Sequence, residues 1–200
     1  MRHVAALFVR EDSIYKTMLG VDAWDAKRDA LGFQGGMPVI AHPPCRAWGS
    51  LRHFAKPRPG ERELALWAVD QARRWGGVLE HPAASTLWPA AGLPEPGRYD
   101  TSGGWTLPIH QHWWGHRAEK ATRLYIVGVA PRDIPVIPMR LGEASHVIAM
   151  DKSPRRGQIG RLRKGMPGWR PEVSKPEREH TPPALAEWLV ELARRTVQPA

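Results

Sequence analysis

Residues 37–45 read Met-Pro-Val-Ile-Ala-His-Pro-Pro-Cys, and residues 77–82 read Gly-Val-Leu-Glu-His-Pro. Each is a short apolar run closed by a polar residue and proline, the pattern of a strand buried on both faces. Between them, Leu64, Trp67, Ala68 and Ala72 fall at helical spacing over residues 61–75, and Gly76-Gly77 stops that helix. Strand, helix and strand in this order form a βαβ unit, so the two strands are expected to lie parallel. Ligands of such sheets bind beyond the C-terminal ends of the strands. The tripeptides Pro43-Pro44-Cys45 and Glu80-His81-Pro82 are therefore expected to open onto one edge.

Working outward, residues 3–9 (HVAALFV), 105–110 and 123–129 read as further strands. Asp12 or Ser13 caps a short helix over 14–19, a helical turn follows over 25–31, and a brief helix over 85–91. Residues 92–104 are loop. Residues 184–195 form an amphipathic helix, with Thr181 as its cap and Pro182 in its first turn. The class is α/β, a mostly parallel sheet flanked by helices. Residues 1–150 are expected to form the main domain, 151–180 a basic loop segment, and 181–200 a C-terminal helix packing back on the domain.

Composition narrows the partner. The 200 residues hold 29 Lys+Arg against 20 Asp+Glu, a net charge of +9, which favours polyanions. Residues 151–180 carry nine Lys/Arg and four acids, +5 of that total, in a Gly/Pro-punctuated stretch. Arg155, Arg156, Arg161, Arg163 and Lys164 are candidate phosphate contacts, with Arg52 and Lys56 nearer the first tripeptide. A solvated loop is the plain alternative. The ten Trp are expected to be core or loop anchors, with a few free to stack on bases. The one cysteine excludes an internal disulfide and any zinc site needing two thiolates. No run reaches the ~20 apolar residues of a membrane span, and the N-terminus reads as a strand, not a signal peptide. The expected compartment is the cytosol and the expected state a monomer.

A free cysteine is usually a small core residue, but Cys45 lies between Pro44 and Arg46, which do not suit a core. The stiff Pro-Pro backbone presents the thiol in one direction. Arg46 and His42 are expected to lower its pKa and enrich the thiolate. Glu80 at a strand end serves most often as a cap or ion-pair partner. In a low-dielectric site its pKa is expected to rise instead, making it a proton donor. A thiolate and a carboxylic acid on neighbouring strands suit attack on C6 of a pyrimidine with protonation at N3, which makes C5 nucleophilic.

Pro44-Cys45 after Val-Ile-Ala, Glu80 after Gly-Val-Leu, and Arg123 opening Arg-Leu-Tyr-Ile-Val-Gly resemble the ordered motifs of DNA cytosine-5 methyltransferases. These are a Pro-Cys motif, a Glu-Asn-Val motif and a Gln-x-Arg-x-Arg strand. The C-terminal HTPPALAEWLVELAR resembles the last helix of small phage-type members, which would place the chain in a bacterial host's cytoplasm. The resemblance covers residues 37–129 and 180–195. It implies a truncated Rossmann-like methyltransferase fold, S-adenosylmethionine as cofactor and DNA as partner. It makes Cys45 the nucleophile on C6, sets Glu80 against N3 and the exocyclic amine, and gives Arg123 the base or a flanking phosphate. Pro44, Arg46, His81 and Lys120 line the substrate. The flipped base would sit between Cys45 and Glu80, with Arg46, Arg52, His53, Lys56 and Arg58 closing over it.

The chain departs from the family at several places. The stretch after the first strand, LFVREDSIYK, has no glycine, and the distance from Phe8 to Cys45 leaves room for few βα units. His81 replaces the Asn of the second motif. Glu119 and Ala121 replace the Gln and first Arg of the third, and Lys120 is a substitute cation. Two rivals stand beside the enzyme: a catalytically inactive DNA-binding protein on the same scaffold, and an enzyme modifying free pyrimidine nucleotides at C5. His110, His112 and His116 are spaced like loop metal ligands, but Trp113-Trp114 points to packing and no metal is expected. The His-x-Glu and Pro-Cys-x-x-Cys pattern of zinc deaminases is absent, as are P-loop and Gly-x-Gly-x-x-Gly motifs.

Overall fold

Four strands run parallel: β1 (Val4–Leu7), β2 (Val21–Trp24), β3 (Val39–Ala41) and β4 (Gly77–Pro82). Two more, β5 (Trp105–His110) and β6 (Ala121–Val127), complete a six-stranded sheet of order β2-β1-β3-β4-β6-β5. β6 lies antiparallel to both β4 and β5, and the helices in chain order are α1 (Glu61–Trp75), α2 (Leu87–Ala90), α3 (Lys175–Glu179) and α4 (Pro183–Arg194). The computed structural model describes residues 1–50, 52–149 and 164–197. The candidate contacts Arg155, Arg156, Arg161 and Arg163 lie outside the described residues.

Side chains alternate across this sheet with period two. Val4, Ala6, Ile40, Val78, Leu124 and Ile126 face one side. They meet α4 (Pro183–Arg194), whose Leu185, Leu189 and Leu192 are fully buried. Ala5, Leu7, Val39, Ala41, Leu79 and Tyr125 face the other side, against α1 (Glu61–Trp75) and its buried Ala65, Ala68, Val69 and Ala72. The link from β1 to β2 crosses the α4 side through a 3-10 helix, Ile14–Thr17. The links from β2 to β3 and from β3 to β4 cross the α1 side. The winding therefore reverses between β1 and β3, the place where open parallel sheets bind ligands beyond their strand ends.

The βαβ unit over residues 37–82 is present as the sequence predicts. Gly77 is required where α1 turns into β4. It adopts φ +109°, and a Cβ there would come within 2.1 Å of the Val39 carbonyl oxygen. β2 has no sequence signal: all four of its residues are half-exposed and Asp22 breaks the apolar run. Edge pairing to β1 and an Arg28–Asp22 ion pair hold it instead. Thr181 does not cap α4; Pro182 takes the cap position and no side chain caps the helix. None of the ten Trp is exposed, which leaves them as core and half-buried anchors. Among the described residues, no helix is long and apolar enough to cross a membrane.

Candidate active site at the ends of β3 and β4

β3 and β4 pair Ala41 with Leu79. The next residues, His42 and Glu80, therefore stand side by side on the α4 face. His42 Nδ1 lies 3.0 Å from Glu80 Oε2, and both side chains are nearly buried. His42 Nε2 lies 3.0 Å from the hydroxyl of the buried Tyr15. From the 3-10 helix after β5, the buried Gln111 amide donates to Glu80 Oε1 at 3.0 Å and to Thr122 Oγ1 at 3.2 Å.

Glu80 is consequently not the proton donor the sequence predicts. Burial alone would raise its pKa. The His42 hydrogen bond leads the effects that oppose it, Lys120 adds its charge, and together they hold the carboxyl at about 2. Glu80 is an anionic acceptor at neutral pH.

Cys45 follows directly in the loop after β3 and reaches solvent. Its carbonyl accepts from the amides of Trp48 and Gly49, which folds the chain into a tight turn behind it. The thiol pKa is raised, contrary to the expectation: crowding by protein comes first, then the Glu80 carboxylate, with Lys120 opposing them. Arg46 feels the thiol only weakly, because its main partner is elsewhere. Its guanidinium forks onto the buried Glu61 at 2.8 and 2.6 Å, and Glu61 also accepts from the Arg58 amide. That fork ties the loop to the start of α1. His42 is likewise turned to Glu80 and Tyr15.

Lys120 stands just before β6, beyond the end of β4. It holds a left-handed backbone, φ +43°, which is costly for a side chain with a Cβ and is found mostly where function requires it. Its carbonyl accepts from the Gln111 amide and the Thr122 hydroxyl, and its ammonium donates to the His180 carbonyl at 3.0 Å. Burial lowers its pKa, while Glu80, Cys45 and Glu179 oppose that. A thiol, a carboxylate and an ammonium thus act on one another at one sheet edge. The chain around α3 (Lys175–Glu179) closes one side, through Arg10–Glu179 at 2.7 Å and His180–Asp12 at 3.1 Å.

Two candidate residues lie elsewhere. His81 alternates with Glu80 and so points to the α1 face, where it is fully buried with no hydrogen-bond partner for either ring nitrogen among the described residues. Arg123 pairs with His81 across β4 and β6 and shares that face. It bridges to Glu95 at 3.2 Å and lies 5.7 Å from the Trp88 ring. The sheet separates both from Glu80. Pro44 is half-buried, Arg52 is half-buried against the Gly49 carbonyl, and Lys56 and Lys164 are exposed. His112 and His116 turn to backbone carbonyls, and His110 packs on Trp113. Tyr15 and Gln111 have no sequence signal, since Tyr15 joins the site from the β1–β2 link and Gln111 from the β5–β6 link.

The end of β1 does not fit S-adenosylmethionine as the resemblance implies. Where a glycine turn would cradle the ligand, Phe8 takes φ +60° and its ring packs edge-on to Trp67 at 5.8 Å. An acid at the end of β2 would hold a ribose. Asp25 there is taken by Lys16 and by the amides of Lys27 and Arg28, and Asp22 by Arg28 and the Trp24 indole. Comparisons with protein-family models, with curated proteins and with solved structures find no match for the chain.

Proposed function

We propose that the chain is a DNA-modifying enzyme of the cytosine-5 methyltransferase type, acting at C5 of a pyrimidine through a covalent bond from Cys45 to C6. One observation carries this reading: the β3–α1–β4 unit sets Cys45 and Glu80 at the ends of adjacent parallel strands, with Lys120 acting on both. The fold proposed is a truncated Rossmann-like methyltransferase fold, supported by the reversal of winding between β1 and β3.

In this mechanism the Cys45 thiolate attacks C6 and the ring electrons move toward C5 and N3. Glu80, as an anion, accepts from the exocyclic amine and from N3–H, which holds the protonated, neutral enamine adduct in place. Lys120, made more acidic by burial, offsets the thiolate and supplies the N3 proton. An electrophile then bonds to C5, a base takes the C5 proton, the C5–C6 double bond re-forms as the thiolate leaves, and the N3 proton returns to Lys120. No step is assigned to S-adenosylmethionine, because the β1 end does not fit it. Arg52, Lys56 and Lys164 are proposed as phosphate contacts, together with the basic residues between 151 and 163. Arg123 is proposed to hold the strand end through Glu95 and Trp88 rather than the base.

The test is intact-mass analysis with DNA carrying 5-azacytosine. Its ring nitrogen at position 5 takes a proton once C6 is attacked, so an adduct persists with no donor present. Wild type is expected to gain the mass of the DNA and Cys45→Ser to gain none. DNA binding without an adduct would favour the second reading, an inactive DNA-binding protein, which the poorly fitting β1 end supports.

A further inference from the structure

Behind Glu80 lies a buried row of hydrogen bonds that the proposed chemistry does not use. Resting on that reading of the site, we infer that His42, backed by Tyr15, is a positioning residue that aims Glu80 and keeps it a hydrogen-bond acceptor. A carboxylate offers only lone pairs, so the His42 nitrogen facing it, Nδ1, carries the hydrogen. In the neutral ring Nε2 then accepts from the Tyr15 hydroxyl. His42 is itself fixed, because its amide donates to the Leu7 carbonyl at 3.0 Å and Pro43 follows it.

Glu80 Oε2 takes His42 and Oε1 takes Gln111. Each oxygen keeps a free lone pair, and the plane of the carboxylate is set from behind. The charged and titratable groups acting on Glu80 are His42 at the end of β3, Lys120 before β6, His81 next in β4, Tyr15 from the β1–β2 link, and Cys45 from the loop after β3. Gln111 is neutral and Lys120 already donates to His180. His42 is therefore the group whose hydrogen bond to Glu80 decides the carboxyl's ionisation against burial.

The experiment follows the Glu80 side-chain carboxyl by carbon NMR in the full chain, assigned with Glu80→Gln. In wild type the resonance is expected to stay flat from pH 8 to pH 5. In His42→Leu, which keeps bulk but donates nothing, the midpoint should rise by two pH units or more, from about 2 to 4.5 and beyond. His42→Asn places an amide N–H near the position of Nδ1 and should restore the flat profile. A residue needed only for packing would give the reverse order, Leu tolerated and Asn not. Tyr15→Phe, which frees Nε2, should move the midpoint in the same direction by less, and it carries the test alone if His42→Leu does not fold. One pH unit below the new Glu80 midpoint, adduct formation with 5-azacytosine DNA should fall about tenfold in His42→Leu, one pH unit being one decade, and recover in His42→Asn. A flat Glu80 resonance in both His42→Leu and Tyr15→Phe, or equal behaviour of Leu and Asn, overturns the proposal. If wild type forms no adduct, the enzyme reading fails while the NMR arms still decide the role of His42.

Discussion

Acidification should destabilise this protein through His81, and the size of the effect follows from its burial. The ring is fully buried on the α1 face, with neither nitrogen partnered among the described residues. Burial lowers its pKa from 6.5 to about 4, against the opposing charge of Glu80. In the unfolded chain the ring titrates at its ordinary value. Between pH 6.5 and pH 4 the unfolded state therefore binds a proton that the native state refuses. A depressed histidine pKa contributes stability that is fully present above pH 6.5 and is lost as pH falls toward 4. Each unit is worth 1.36 kcal/mol, so the total loss by pH 4 is about 3 kcal/mol, and between pH 7 and pH 5 about 2 kcal/mol. For a chain of this length that is a fall of roughly 4–8 °C in Tm.

The perturbation is His81→Leu, which removes the unpartnered nitrogens and keeps an apolar side chain in place. Such a swap is close to neutral at pH 7, because no hydrogen bond is lost. The assay is urea unfolding at 0.5-unit steps (about five points between pH 7 and pH 5), read by the intrinsic fluorescence of the tryptophans. Burial also lowers His116, and Asp12 and Asp25 titrate near 2. These groups act equally in both proteins, so the difference between the two curves isolates His81. It should widen by about 2 kcal/mol from pH 7 to pH 5, with the variant the flatter. Parallel curves would refute the argument, and would mean that the ring finds a partner or is protonated in the native state.

Two further outcomes follow from the packing and charge pattern. Leu189 is fully buried where α4 meets the sheet, so Leu189→Ala should cost about 2–5 kcal/mol in the same unfolding assay. Cys45 is the sole cysteine, so the pH dependence of its alkylation by iodoacetamide reports one thiol: Glu80→Gln should speed alkylation at pH 7 and Lys120→Met should slow it, because these charges push the thiol up and down respectively.

The pair Cys45 and Glu80 was legible because it depends on local sequence: two apolar runs, each ended by proline, with one helix between them. The ionisation of that pair was not. The groups that set it come from distant links: Tyr15 meets His42 across 27 residues and Gln111 meets Glu80 across 31. Arg46 beside Cys45 looked like the activating cation, yet its fork to Glu61 closes across 15 residues, and the sequence of the loop does not show it. β2 was missed for a related reason, since an edge strand needs only one good neighbour and no apolar alternation of its own.

The placing of Arg123 and His81 turns on register. Alternation within Gly77–Pro82 puts Glu80 and His81 on opposite faces in any arrangement of the sheet. Which face Arg123 joins depends on its pairing with His81, and a slip of one residue would have brought it round to Glu80. The observed register has a chemical result. Glu80, Lys120 and Cys45 share an edge where their charges act on one another, while His81 is left in a dry layer that disfavours protonation. Arg123 stays near that layer because Glu95 answers its charge at the rim and the Trp88 ring lies beneath it. One period-two strand thus divides its ionisable residues between the face of the candidate site and a face whose stability is set by pH.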